Sequence, residues 1–179
     1  MKKQKTDMNK TNIYFVGAGG IGMSALVRYF LNEGKFVGGY DRTPSELTGK
    51  LIEEGAVLHF EENTDLVPAE CKDPGSTLVV YTPAIPADHR EWSLFMEGGF
   101  TIKKRAEVLG IITKGKRGVC AAGTHGKTTT STMTAHLLHS SEVDCAAFLG
   151  GISKNYHSNL ITTDKSDFVV IEADEYDRS

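Results

Sequence analysis

Short apolar runs alternate with longer amphipathic segments from residue 12 to the end of the chain. Each apolar run has the length of a buried strand, and the segments between them repeat apolar residues with a helical period. Strands are predicted at 12–16, 36–40, 56–60, 77–81, 100–102, 118–122, 143–149 and 167–171, and helices at about 23–32, 45–54, 91–97, 105–113 and 129–138. Because strands and helices alternate, we expect an α/β protein with parallel sheets and crossover helices.

A basic, glycine-bearing segment at 114–118 separates two such series. We predict a disordered tail at 1–11, a Rossmann-like domain with a parallel sheet at 12–116, and the first part of a second α/β domain at 117–179. The second series is too short to cover its sheet, so we interpret the chain as the N-terminal part of a longer protein. Residues 150–159 begin with two glycines and are predicted to form a polar loop.

The first strand runs directly into Gly17-Ala18-Gly19-Gly20-Ile21-Gly22, which matches the pattern G-x-G-x-x-G. A helix follows, and Asp41 stands at the tip of the next strand. This order is typical of a unit that holds a diphosphate on a helix N-terminus and a ribose near the acidic residue. The pattern does not identify the ligand, and an NAD-dependent oxidoreductase remains one interpretation.

A second phosphate-binding pattern follows the strand at 118–122. Its glycines let backbone N–H groups surround phosphate oxygens, and a lysine and a hydroxyl at the helix start serve the phosphates and Mg²⁺. A glycine is usual where Ala121 stands, so the match is incomplete. The pattern predicts that 117–179 is the first part of a P-loop ATPase domain. The residues predicted to bind ATP are Gly123, Thr124, His125, Gly126, Lys127, Thr128 and Thr129, with Lys127 as the catalytic residue. Glu172 ends an apolar strand, and we expect it to hold Mg²⁺ together with Thr128.

Composition and charge limit the kinds of partner and cellular environment that are expected. The chain is 40% hydrophobic and 24% charged, with a net charge of −3 and a pI near 6.1, so no nucleic-acid partner is expected. No apolar run reaches membrane-spanning length, and no membrane partner is expected. Three widely spaced cysteines, Cys71, Cys120 and Cys145, form no metal pattern and favour a reducing cytoplasm.

Six segments together resemble the Mur ligases, and they are 17–24, 82–85, 105–107, 123–130, 150–156 and 172–175. The resemblance implies an ATP-dependent ligase of peptidoglycan precursor synthesis in the bacterial cytoplasm. Its first domain would bind a UDP-sugar, its central domain ATP, and a C-terminal domain the amino acid. The pattern resembles in particular the members that join L-alanine to UDP-N-acetylmuramate through an acyl phosphate.

The resemblance also implies the residues of the UDP-sugar site, which are Gly19, Gly20, Ile21, Gly22, Met23, Ser24, Asp41, Thr82, Ala84, Ile85, Arg105 and Asn155. One departure is Glu61-Glu62, where many relatives carry Gly-His. Two other interpretations stay open: a sister ligase that recycles murein tripeptide onto the same UDP-sugar, and a non-catalytic nucleotide-binding module. Because no amino-acid site is recognised, we expect these 179 residues to be inactive alone.

Overall fold

The computed structural model describes residues 10–86 and 88–173. The chain divides into two compact units between Ile111 and Ile112, a few residues ahead of the predicted boundary after residue 116. Residues 1–9 of the predicted tail lie outside the described residues, as do Asp174 and Glu175. Among the helices in the described ranges, none has both the length and the apolar character needed to cross a membrane.

The first unit is a five-stranded parallel sheet with helices between its strands. The strands are β1 (Asn12–Val16), β2 (Phe36–Tyr40), β3 (Val57–His59), β4 (Thr77–Tyr81) and β5 (Thr101–Lys104), in the spatial order β3-β2-β1-β4-β5. The helices are α1 (Ile21–Asn32), α2 (Glu46–Glu53), α3 (Arg90–Glu97) and α4 (Arg105–Thr113). This Rossmann-like arrangement confirms the predicted fold class.

Strand β1 lies in the middle of this sheet, and both of its faces are buried. On one face Tyr14 and Val16 join a cluster with Val79 of β4 and Phe95 of α3. On the other face Phe15 packs against Phe30 of α1, with ring centroids 6.2 Å apart. A strand covered on both faces reads as a continuous apolar run, which is why the sequence pattern located it correctly.

The second unit contains β6 (Arg117–Ala121), α5 (Lys127–His139), β7 (Ala146–Ser153), β8 (Ser158–Ile161) and β9 (Phe168–Glu172). Its described sheet has the order β6-β9-β7-β8. Strands β6, β9 and β7 are parallel, and β8 runs antiparallel to β7. The carboxyl ends of β6 and β9 therefore meet at one edge, where α5 also begins.

Of the polar loop predicted at 150–159, the turn at 154–157 is present, and the prediction is wrong for the residues on either side of it. Strand β7 continues through Gly150 and Gly151 to Ser153, and the chain returns as β8, with Phe148 opposite Leu160 and Ser153 opposite Ser158. Glycine lowers the strand propensity of a segment, so the sequence pattern hid this hairpin. The strand predicted at 143–149 also begins later than expected, at Ala146. Asp144 has a φ of 55°, which interrupts an extended backbone.

Candidate functional site

The first glycine segment, residues 17–22, lies where the strand order of the sheet reverses. Strands β1 and β4 are neighbours, while β2 and β3 extend on one side and β5 on the other. Ligands of open α/β sheets bind in the crevice at the carboxyl ends of two such strands. A Cβ atom on Gly17, whose φ is +90°, would lie 3.0 Å from Thr82 Cγ2 and 3.3 Å from Ile85 Cδ1. The loop after β4 therefore packs directly on the loop after β1.

Asp41 organises the glycine segment from within the protein. The N–H groups of Gly17 and Ala18 donate to the carbonyl of Tyr40, at 2.8 and 2.9 Å. The next N–H, that of Gly19, donates to Asp41 Oδ2 at 2.6 Å. A Cβ on Gly19 would lie 2.8 Å from the same oxygen and 2.8 Å from Thr48 Cγ2. Gly19 is thus required for packing against the protein itself, and a contact of Asp41 with a uridine or ribose stays a prediction.

The positive end of the α1 helix dipole lies beside the guanidinium of Arg105. The first turn of α1 has no acidic side chain, and its cap residue, Gly20, provides no side-chain hydrogen bond to the helix N–H groups. A Cβ on Gly22 would lie 3.1 Å from Arg105 Nη1 and 3.4 Å from Arg105 Cζ, so the guanidinium rests on the backbone of this first turn. A helix N-terminus already favours anions, and the adjacent arginine strengthens that preference. The geometry fits a phosphate or diphosphate.

The other residues predicted for this site contribute in different ways. The side chains of Met23 and Ser24 are buried, with 2% and 0% of their surface exposed, so these residues face the interior of the unit. Ala84 is exposed at the loop after β4, whereas Asn155 is exposed in the β7–β8 turn of the second unit. Of the unusual pair Glu61-Glu62, the carboxylate of Glu62 accepts the N–H of Arg90 at 2.8 Å.

The phosphate loop of the second unit has the local conformation that its glycines predict. Gly123 and Gly126 have φ values of 138° and 80°, in the left-handed region that favours glycine. Gly126 caps α5 without a side-chain hydrogen bond, and no acidic residue lies in the first turn. Lys127 donates from Nζ to the carbonyl of Gly123 at 2.7 Å, across the loop. Thr124, His125 and Thr129 are exposed around this N-terminus.

The two residues predicted to bind Mg²⁺ are in contact. The hydroxyl of Thr128 donates to Glu172 Oε2 at 3.1 Å. The second carboxylate oxygen, Oε1, accepts the hydroxyl of Ser131 and the N–H of Gly150, each at 2.8 Å. A Cβ on Gly150 would overlap the Glu172 carboxyl group, and one on Gly151 would lie 3.0 Å from Thr128 Cγ2. The two glycines of β7 therefore make room for the carboxylate and the threonine.

Sequence reasoning missed Ser131 and Gly150 as members of this group. One signal was present, because residues three apart on a helix share a face and Ser131 follows Thr128 at that distance. The other signal was a glycine pair inside an apolar run, which often marks a close approach of the backbone to another group.

A carboxylate and a hydroxyl beside an uncapped helix N-terminus fit a magnesium nucleotide. Within residues 10–86 and 88–173 there is no group of three or more His, Cys, Asp or Glu side chains that could hold a metal. Mg²⁺ commonly takes one or two protein ligands and completes its shell with phosphate oxygens and water. The oxygens of Thr128 and Glu172 are of the kind that this ion prefers.

Comparisons with known proteins identify the family of the chain. The sequence profile of the Mur ligase family, catalytic domain, matches residues 12–117. The chain belongs to the Mur ligase family. The UDP-N-acetylmuramate–L-alanine ligase of Phocaeicola vulgatus is 67% identical over 94% of this chain, and that of Parabacteroides distasonis is 65% identical over 97%. The chain spans 37% and 38% of the lengths of these two relatives.

Two solved structures have the same fold as this Mur ligase chain. The UDP-N-acetylmuramate–alanine ligase MurC of Thermotoga maritima has a TM-score of 0.82 and 32% identity, covering 92% of this chain and 37% of its own. A murein peptide ligase from Psychrobacter arcticus has a TM-score of 0.80 but 23% identity, covering 93% of this chain and 38% of its own. The latter likeness supports the fold alone.

Proposed function

We propose that this chain is the first part of an ATP-dependent ligase that joins L-alanine to UDP-N-acetylmuramate in peptidoglycan precursor synthesis. The observation that carries the proposal is the contact of Thr128 with Glu172 at the start of α5, beside Lys127. This arrangement serves a magnesium nucleotide and not a nicotinamide cofactor. The substrates are inferred from the relatives that are 67% and 65% identical, whose names state both of them.

In the proposed reaction a lactyl carboxylate oxygen of the sugar attacks the γ-phosphorus of ATP, and ADP leaves. The amino group of L-alanine then attacks the carbonyl carbon of the acyl phosphate, phosphate leaves, and the amine loses a proton. The Lys127 ammonium group stabilises the charge that grows on the transferring phosphate. Thr128 and Glu172 would hold Mg²⁺, which would neutralise phosphate charge, and residues 123–126 would supply backbone N–H groups to the phosphates.

We assign the UDP diphosphate to the N-terminus of α1 in the first unit. The first turn of α1 offers backbone N–H groups there, and Arg105 adds its guanidinium. Thr82, Ala84 and Ile85 flank the same crevice from the loop after β4. Asp41 would then lie near the uridine, and a substrate contact of Asn155 stays a prediction.

An NAD-dependent enzyme is the less favoured interpretation. It would leave the phosphate loop of the second unit without a role. A murein peptide ligase shares the fold, but the higher identity to the alanine ligases favours L-alanine. We place the ligase in the bacterial cytoplasm, since all three cysteines are free thiols.

Two measurements test this proposal. Calorimetry on the chain should show binding of UDP-N-acetylmuramate and UDP in the absence of Mg²⁺-ATP, and no binding of NADH. A full-length ligase that carries this chain should release phosphate with UDP-N-acetylmuramate and L-alanine. Phosphate release with the murein tripeptide but not with L-alanine would favour the recycling ligase, and NADH binding without UDP binding would refute the ligase assignment.

A further inference from the structure

Ser131 lies on α5, three residues after Thr128, and is fully buried. No sequence motif includes it. Its Oγ lies 2.8 Å from Glu172 Oε1 and 3.1 Å from the carbonyl oxygen of Thr128. A hydroxyl group has one proton, and a carboxylate is the stronger of these two acceptors. Ser131 therefore donates to Glu172 instead of to its own helix, which is the usual acceptor of a serine within a helix.

The two oxygens of Glu172 are held differently. Oε1 accepts two hydrogen bonds of 2.8 Å, one from the buried hydroxyl of Ser131 on α5 and one from the backbone N–H of Gly150 on β7. Oε2 faces the hydroxyl of Thr128 at the longer distance of 3.1 Å. A rotation of the carboxyl group by more than a small angle would lengthen both bonds to Oε1. Oε1 is thus the anchored oxygen, and Oε2 is the one presented beside Thr128.

We propose that Ser131 is a positioning residue for the metal-binding carboxylate of Glu172. Its hydroxyl fixes Oε1 and thereby keeps Oε2 oriented toward the site of the magnesium nucleotide. This inference rests on the proposed function, because it takes Glu172 as a metal ligand. Without Ser131 one donor, Gly150, would hold Oε1, and the metal would have to order a more mobile carboxylate. The loss of such an outer partner typically weakens metal affinity by about 10- to 100-fold.

The test uses Ser131→Ala and Ser131→Thr in a full-length ligase that carries this chain. Mn²⁺ serves as the probe, and its binding in the presence of saturating ADP is measured by electron paramagnetic resonance. We expect Ser131→Ala to raise the Mn²⁺ dissociation constant by about tenfold or more, and Ser131→Thr to restore most of the affinity. ADP binding in EDTA should stay unchanged in both variants, because the N–H groups and Lys127 are intact. Thr134→Ala, a hydroxyl deletion further along α5, is the matched control.

Folding is checked by the thermal unfolding midpoint of each variant without metal. Ser131 is completely buried, so the extra methyl group of threonine can strain the site. If the midpoint of the threonine variant falls, Ser131→Cys replaces it as the size-matched comparison, with an intermediate affinity expected from its weaker donor.

Two results would overturn the positioning role. One is an unchanged Mn²⁺ affinity in Ser131→Ala. The other is an equal loss of affinity in the alanine variant and in the folded hydroxyl or thiol variant, since packing would then explain the effect. A wild-type ligase that fails to bind Mn²⁺ with ADP would instead refute the proposed function, so the two failures are distinguishable.

Discussion

Replacing Glu91 by glutamine is expected to remove a pH-dependent loss of stability from the first unit. Glu91 lies on α3 with its side chain completely buried. Burial raises the pKa of its carboxyl group from an ordinary 4.5 to about 7, and the hydrogen bond from Tyr14 offsets part of this rise. A buried carboxyl group whose pKa is raised favours its neutral form, because the interior does not solvate the charge.

The surroundings of Glu91 do not compensate a buried negative charge. Tyr14 Oη donates to Glu91 Oε2 at 2.5 Å and also lies 2.8 Å from His59 Nε2. His59 Nδ1 lies 2.9 Å from the carbonyl oxygen of Glu61, which can only accept, so Nδ1 carries a hydrogen. Burial lowers the pKa of His59, so a positive charge beside Glu91 is disfavoured. The neutral carboxyl group of Glu91 is therefore favoured.

The sign of the pH dependence follows from the raised pKa of Glu91 in the folded state. The folded state binds a proton at Glu91 more tightly than the unfolded chain does, so its stability is highest below about pH 4.5 and is lost as the pH rises through about 7. A pKa difference from 4.5 to about 7 corresponds to about 3 kcal/mol in full. Between pH 5 and pH 8 the free energy of unfolding should fall by about 2 to 3 kcal/mol relative to Glu91→Gln.

Trp92, the single tryptophan of the chain, provides the assay. It follows Glu91 on α3 and its ring centroid lies 4.5 Å from that of Tyr81. Its fluorescence therefore reports urea unfolding of the first unit. The measurement compares wild type, Glu91→Gln and the exposed control Glu97→Gln from pH 5 to pH 8. Burial also lowers the pKa of His59 and His89, and Glu62 lies near Glu91, but these groups are present in all three proteins.

The result that would refute this reasoning is a pair of parallel stability curves for wild type and Glu91→Gln. The glutamine amide faces the same buried surroundings, in which Glu91 Oε1 has no hydrogen-bond partner among the described residues. Its absolute stability is therefore not the test, and the difference in slope with pH is. A slope difference shared by Glu97→Gln would also contradict the assignment to Glu91.

Three further predictions concern the two sites and the second unit. Lys127→Ala in the full-length ligase should lower kcat by about a hundredfold or more while UDP-sugar binding measured by calorimetry stays unchanged, because Lys127 acts on transition-state charge. Arg105→Ala should weaken UDP binding by about tenfold or more, whereas Arg105→Lys should retain part of it, as expected for a charged hydrogen bond to phosphate. Hydrogen bonding to Thr163, Cys145 and His139 lowers the pKa of Asp144, so its stabilising effect is lost as the pH falls through its folded-state pKa. Asp144→Asn suits the positive φ and should flatten the acid limb of the stability curve followed by circular dichroism.

The sequence alone determined the features that depend on neighbours along the chain. Strands buried on both faces read as apolar runs, so β1 and β4 were predicted at their observed bounds. The left-handed residues Gly123 and Gly126 were recognisable because a phosphate loop requires glycine at such positions. The family resemblance was likewise carried by short segments in a fixed order, and the family match confirms it.

Tertiary structure decided which distant side chains meet. Glu172 contacts Thr128, Ser131 and Gly150 because β9 lies between β6 and β7, and this strand order has no local signature in the chain. The Tyr14–Glu91 contact arises in the same way, since α3 packs on the face of β1 that carries Tyr14. Periodicity shows that a residue is buried, but hydrogen bonds between residues far apart in sequence depend on how the sheet is assembled. Gly150 shows this limit. Its low strand propensity hid strand β7 in the sequence, yet the fold requires glycine there because a side chain would overlap the Glu172 carboxylate.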